Sequence, residues 1–381
     1  MRRPKAGPAR RENTLQARNT ATRPPGVSMS NPTATRDNSI NTLRAFAIFI
    51  VVLYHAVLAD AERAGRFYFE FEILIRYIPL EIFTAVSGYL YASRPIGRGD
   101  IARSLQVKAR RLLLPLVTMT TVLLLLRVVM PGVNKVPGWS DVLRAYAFRF
   151  EHLWYLQSLF LIFVVISIID GFALIRSARA CAALIIGWYV ISLALPLNGF
   201  FGYAGLVQLM PYFLAGYALR RWPELLYGRG AAAIAWSCFA GGMLLEQLDA
   251  RGVLPLPDII VLKWGILNLI VGFAFCALAF RYRREVPGLG PIGNATFSIY
   301  IFHTIGMAVA NRLASLTPWD EGIAGLIVLK VLLGMLLPIA LEMGIRRSHL
   351  LSTLFLGEAW KTKWPAGLAR AKSATSGTPS S

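Results

Sequence analysis

An arginine and a histidine stand with ten residues between them in the apolar run Asn41-Thr-Leu-Arg-Ala-Phe-Ala-Ile-Phe-Ile-Val-Val-Leu-Tyr-His55. In a helix that spacing is about three turns, so Arg44 and His55 share one face. Ionisable side chains inside a membrane span are expensive and face a site, a partner or a water-filled path. Imidazole can take up a proton near neutral pH, and a guanidinium holds carboxylates and phosphates. With Asn38 and Ser39 as N-caps, Arg44 lies about 6 Å and His55 roughly 22 Å from the entry of the helix. A bulky anionic cofactor gripped at Arg44 could thus present its reactive end near His55. The competing reading is a histidine bonded within the bundle and an arginine snorkelling to the interface.

Other polar groups reach a similar depth. Glu81 lies in Pro79-Leu-Glu-Ile-Phe-Thr-Ala-Val-Ser-Gly-Tyr-Leu90. It could fix the tautomer of a histidine and stabilise its protonated form, or pair with Arg76 or another buried donor. His303 sits about 18 Å into the run that opens near Pro291. Lys108 and Arg111 are one turn apart ahead of Leu112-Leu-Leu-Pro115, a fork suited to phosphate groups, although any cytosolic loop is expected to be basic. His152 and Trp154, in Glu151-His-Leu-Trp-Tyr-Leu156, could stack on a sugar or lipid head group or belong to an aromatic belt. Ser87-Gly88 suits close helix packing better than it suits a nucleophile.

The elements that must hold these residues are membrane spans. The 381-residue chain is 56% hydrophobic, with a mean hydropathy of +0.53. Apolar runs broken by Pro, Gly and charge predict an all-α polytopic membrane protein. Its ten expected helices cover 40–60, 71–93, 110–130, 152–170, 180–196, 203–219, 230–248, 258–280, 291–313 and 321–345. Basic residues crowd alternate loops and both tails, which predicts that both termini are cytosolic. The net charge of +20 is thereby explained as topology, and without an aromatic-basic stripe it gives no nucleic-acid signal.

The expected organisation is a disordered basic tail over 1–39, a membrane domain over 40–345 and a cytosolic tail over 346–381. Residues 1–39 lack the apolar core of a cleavable signal peptide, and Met29 offers an alternative start. Cys181, Cys238 and Cys276 are scattered through apolar runs and read as packing residues. No internal repeat is evident. The histidines have no ligand-spaced partners, so no metal site is expected.

Five segments in this order resemble the acyltransferase 3 family of bacterial integral membrane O-acyltransferases, over about residues 38–345. They are Arg44 to His55; Glu81-Ile-Phe to Ser87-Gly-Tyr; Lys108 to Arg111 with Leu-Leu-Leu-Pro115; His152-Leu-Trp-Tyr-Leu; and Thr296-Phe-Ser-Ile-Tyr-Ile-Phe-His303. Lys108 stands where the family usually has Arg, which keeps charge and loses a bidentate fork. The resemblance implies an inner-membrane, multi-pass enzyme moving an acyl group, usually acetyl, from cytosolic acyl-CoA. The acceptor it implies is a hydroxyl on a cell-envelope or exopolysaccharide glycan or a lipid-linked sugar.

On that reading Arg44, Lys108 and Arg111 hold the donor, and His55, with Arg44 and Glu81, carries the chemistry. His152, Trp154, Tyr300 and His303 face the acceptor. His55 acts either as general base or through an acyl-histidine. Two other classes stay open: a transporter or flippase of an anionic glycan precursor, which needs no CoA, and an inactive scaffold.

Overall fold

The computed structural model describes residues 37–75, 78–94, 96–129, 138–257, 260, 265–316 and 322–360. Both expected tails fall largely outside these, as does Arg76, the residue weighed as a partner for Glu81. Among the described residues there is no strand; the chain is a bundle of α-helices. Each of the ten expected apolar runs overlaps at least one of them, without that making ten spans.

The first, α1, covers Asn38–Leu58, followed by α2 (Ala61–Ala64), α3 (Arg66–Ile75) and α4 (Pro79–Tyr91). The long α5 (Ile101–Val129) begins nine residues before the apolar run expected there, so that Lys108 and Arg111 are helical rather than in a loop. Next come α6 (Trp139–Ala147), α7 (Trp154–Gly171), α8 (Ala178–Ala194), α9 (Tyr203–Arg221), α10 (Glu224–Tyr227) and α11 (Ala231–Ala250). The series closes with α12 (Ile266–Arg281), α13 (Leu289–Asn294), α14 (Thr296–Leu316), α15 (Gly322–Ile345) and α16 (His349–Leu356). Among the described residues, six helical segments are long and apolar enough to cross a bilayer: Asn38–Leu58, Arg66–Tyr91, Arg98–Val129, Trp154–Gly171, Ala231–Ala250 and Gly322–Ile345. Their outward faces are apolar too, with Phe46, Phe49, Leu125, Ile234 and Leu332 exposed, as expected of surface that meets lipid.

Contacts at both ends of each pair fix the helix directions. Ile101 and Arg98 meet Gly171, while Arg127 pairs with Glu151, so α5 and α7 are antiparallel. Helix α1 runs with α14, since the Asn41 carbonyl abuts Gly293 and His55 abuts His303. It runs against α15, where Val52 meets Gly334 and Asp60 meets Lys330. One end of the bundle therefore gathers Arg98, Lys108, Arg111, Arg220, Arg221, Arg281 and Arg346, and is called the basic end below.

Two devices hold the bundle together. Backbones approach closely where side chains vanish: a Cβ on Gly216 would stand 1.8 Å from the Ala85 carbonyl oxygen, and one on Gly88 2.0 Å from that of Phe213. Such glycine seams let helices associate through dispersion where lipid removes the hydrophobic driving force. Buried polar ties add direction. Asp170 accepts from the Tyr91 and Tyr217 hydroxyls, at 3.4 and 3.3 Å, and from the Ile96 amide at 3.0 Å, linking α4, α7 and α9. Lys330, 1% exposed inside an apolar helix, donates to Asp60 just past the end of α1. A buried ammonium needs such a partner, because an unpaired charge there is strongly destabilising.

Gly216→Val should abolish the folded, monodisperse protein in detergent, as read by fluorescence-detected size exclusion. Gly187→Val in α8, where an added Cβ meets nothing within 4 Å, should leave the elution profile unchanged.

Candidate functional site

Near the far end of α1, His55 is half-buried and lines a cavity of about 450 Å³. The same cavity is lined by Glu81 from the first turn of α4, by His152 and Trp154 at the start of α7, and by Tyr300 of α14. Five of the nine residues singled out in the sequence thus converge on one space, although they come from four helical regions far apart in the chain. Convergence of this kind follows from the helix directions: α1 and α14 run together, and α7 begins at the end where α1 finishes.

His303 lies behind this cavity and lines neither cavity described here. It is fully buried, with its ring centroid 5.1 Å from that of His55 and 4.6 Å from that of His152. Its Nδ1 is 2.8 Å from the Tyr300 carbonyl and 3.2 Å from that of Ile299. A carbonyl can only accept, so Nδ1 carries the hydrogen and Nε2 is the bare nitrogen in the neutral ring. His152 is set the other way: its Nε2 meets the Ile301 carbonyl at 3.2 Å, so its bare nitrogen is Nδ1. Both bare nitrogens are buried, with no hydrogen-bond partner among the described residues. Buried acceptors of this kind are uncommon and costly, and they mark a place where polarity has been kept against stability.

The turn that aims His152 is over-determined. Glu151 has φ 46°, a left-handed conformation that residues other than glycine adopt at a cost and that is found disproportionately at functional sites. Arg127 holds the Glu151 carboxylate, and the Tyr300 hydroxyl donates to the His152 carbonyl. Trp154 presents its ring to the Arg149 guanidinium at 4.8 Å. Arg149 was not anticipated, although a basic residue in a loop expected to be poor in them was the available signal.

At the basic end a second cavity of about 300 Å³ is lined by Lys108 and Arg111 of α5, Phe163 of α7, Ser298 of α14, Glu342 of α15, and Arg346, Leu356 and Glu358 beyond it. Lys108 Nζ stands 3.8 Å over the Phe163 ring, a cation–π contact that positions the ammonium with little hydrogen bonding. The fork read from the sequence is present. Its surroundings, two carboxylates and a third cation, were not legible there. Arg44 is half-buried, on the His55 face of α1 and about 16 Å from it along the axis; it lines neither cavity. Its helix does border the second one, since the Asn41 carbonyl packs on Gly293 and the adjoining Asn294 is in the lining.

The two cavities lie on either side of α14. Ser298 lines one and Tyr300 the other, about 3 Å apart in rise and facing roughly opposite ways around the helix. Among the described residues no group of three or more His, Cys, Asp or Glu is arranged to hold a metal ion.

The class of protein is thereby defined: a multi-pass α-helical membrane protein with a histidine-lined cavity at one end and a cationic cleft at the other. A model of the acyltransferase 3 family, described as an acyltransferase domain, matches residues 37–343, and the chain belongs to that family. The comparisons with curated proteins and with solved structures returned no match.

Tyr300→Phe should cost about 1–3 kcal/mol of stability, because the buried His152 carbonyl loses its donor. A fall in the thermal unfolding midpoint of the purified protein, absent in Tyr282→Phe at an exposed position, would register it.

Proposed function

We propose that this membrane acyltransferase carries an acyl group, most simply acetyl, from acyl-CoA bound at the basic end to a hydroxyl of a cell-envelope or exopolysaccharide glycan or lipid-linked sugar in the larger cavity. The observation that carries this reading is that a cationic cleft and a cavity lined by His55 flank the same helix, α14. A donor with an anionic head suits a cationic cleft, and His55 in the other cavity offers a base. The larger cavity, with Trp154 and Tyr300 beside Glu81 and His55, offers the mixture of aromatic faces and polar groups that suits a sugar.

In this scheme Lys108 and Arg111 hold phosphate oxygens, and Arg44 supports the donor between the cleft and His55. A ring nitrogen of His55 takes the proton of the acceptor hydroxyl as its oxygen attacks the thioester carbonyl carbon. The tetrahedral adduct collapses, the carbon–sulfur bond breaks, and the departing thiolate recovers the proton from His55. Glu81 stabilises the imidazolium that forms in passing. Trp154 and His152 meet the acceptor. His303 acts through His55 and His152, as a positioning residue. The basic end faces the cytosol, where acyl-CoA is made. Both termini lie there, and ten spans cross the inner membrane. An inward-facing donor site and an outward-facing acceptor site would make the reaction a transfer across the bilayer.

Detergent-purified protein with radiolabelled acetyl-CoA and an envelope-glycan extract provides the test. His55→Ala should lose label transfer by a factor of about 10² or more while still binding CoA, and Arg111→Ala should weaken CoA binding. Transfer surviving in His55→Ala would overturn the role of His55. A wild type that neither binds nor consumes any acyl-CoA would overturn the donor and favour transport of a glycan precursor.

A further inference from the structure

The family match ends at residue 343, yet the cationic cleft does not. Its wall is completed by the segment that follows: Arg346, then α16, then Leu356 and Glu358. This strap is fixed in place by contacts a loose tail would not make. Ser348 caps α16 by accepting from the Leu351 amide at 3.4 Å, and the Ser352 hydroxyl returns to the Ile345 carbonyl at 3.2 Å. Phe355 packs on Phe302 of α14, with ring centroids 5.7 Å apart. Gly357, at φ 62°, lies against the Arg110 and Arg111 backbone, where a Cβ would come within 2.5 Å of the Arg110 carbonyl oxygen, and its own carbonyl accepts from Arg110 Nε at 3.1 Å.

What the strap delivers is a carboxylate. Arg346 is bound on one side by Glu342, at 2.7 Å, and on the other by Glu358. The cleft therefore holds three cations, Lys108, Arg111 and Arg346, against two carboxylates. The two acids differ. Glu342 is set in α15 with its side chain 13% exposed, whereas Glu358 is 43% exposed and follows the last helix. An ion pair exposed to that degree is weak and exchangeable, while a phosphate offers the same guanidinium a stronger charge-assisted contact.

We propose that Arg346 is a third phosphate-binding residue of the donor cleft and that Glu358 is its built-in counter-ion, displaced by a phosphate group when the donor enters. The inference rests on the reading of this cleft as the acyl-CoA site. It makes the segment beyond the family domain part of the binding machinery: Glu358 lines the cleft, pairs with Arg346 and sets a threshold on donor affinity.

The test is a binding titration of the full-length protein in nanodiscs with acetyl-CoA and with 3′-dephospho-CoA, comparing wild type, Glu358→Gln, Arg346→Gln, the double variant and Lys108→Ala. Glu358→Gln should tighten acetyl-CoA about threefold, the scale of an exposed ion pair. Arg346→Gln should weaken it about tenfold, and the gain from Glu358→Gln should vanish in the Arg346→Gln background. Loss of discrimination against 3′-dephospho-CoA in Arg346→Gln would assign its contact to the 3′-phosphate; retained discrimination would assign it to the pyrophosphate. If Lys108→Ala weakens binding but Glu358→Gln leaves it unchanged or weakens it, the counter-ion proposal falls and the donor site stands. If wild type binds neither nucleotide, both fall. Unfolding midpoints matching wild type in Glu358→Gln and Arg346→Gln separate these effects from misfolding.

Discussion

Placing a charge or an unsatisfied polar group in hydrocarbon costs several kcal/mol, and the arrangement of this bundle follows from that constraint. Helices here cannot be driven together by expelling water, so they are held by close backbone contact and by a small number of internal polar ties. The seam between α4 and α9 at Gly88 and Gly216 is of the first kind. The Asp60–Lys330 pair and the Asp170 junction are of the second. Lys330 shows how the constraint becomes geometry. Its ammonium must find a carboxylate, and the one it finds lies just past α1, so the pair fixes the end of the helix that presents His55.

The same reasoning links the pieces of the larger cavity. Imidazoles from α1, from the turn before α7 and from α14 lie edge-on or tilted to one another, with ring centroids 4.6 to 6.3 Å apart. The other two, His152 and His303, meet backbone carbonyls, each in a defined tautomer. A base used in transfer chemistry gains from neighbours held in fixed positions. Strain at Glu151 and the buried bare nitrogens are costs that packing alone would not incur, which is what distinguishes this region from an ordinary polar patch in a membrane bundle.

Much of this was legible in the sequence. The Arg44 and His55 spacing and the Glu81 segment stood out because ionisable residues interrupted apolar runs, and the Lys108 and Arg111 pair because it stands at the head of one. What was not legible came from pairing between distant segments. The contact of His152 with Tyr300 depends on how α7 meets α14, and no local pattern encodes it. Arg346 and Glu358 looked like a featureless tail, since their meaning lies in the fold-back of α16 over α5. Lys330 is different: a lone lysine in the apolar run 322–345 carries the same signal that marks His55, an ionisable residue inside a span. Arg44 was read correctly as sharing the face of His55, yet shared phase does not place both side chains in one cavity, because the cavity does not follow the helix axis for three turns.

The central claim, a donor at the basic end and an acceptor at the other with His55 between them, is tested most directly in proteoliposomes of sorted orientation. Radiolabelled acetyl-CoA would be supplied only to the face bearing Lys108 and Arg111, with a glycan acceptor only on the opposite face. The account predicts label on the acceptor with wild-type protein and none with His55→Ala. Label transferred equally well when donor and acceptor are exchanged between faces, or transfer undiminished in His55→Ala, would contradict it.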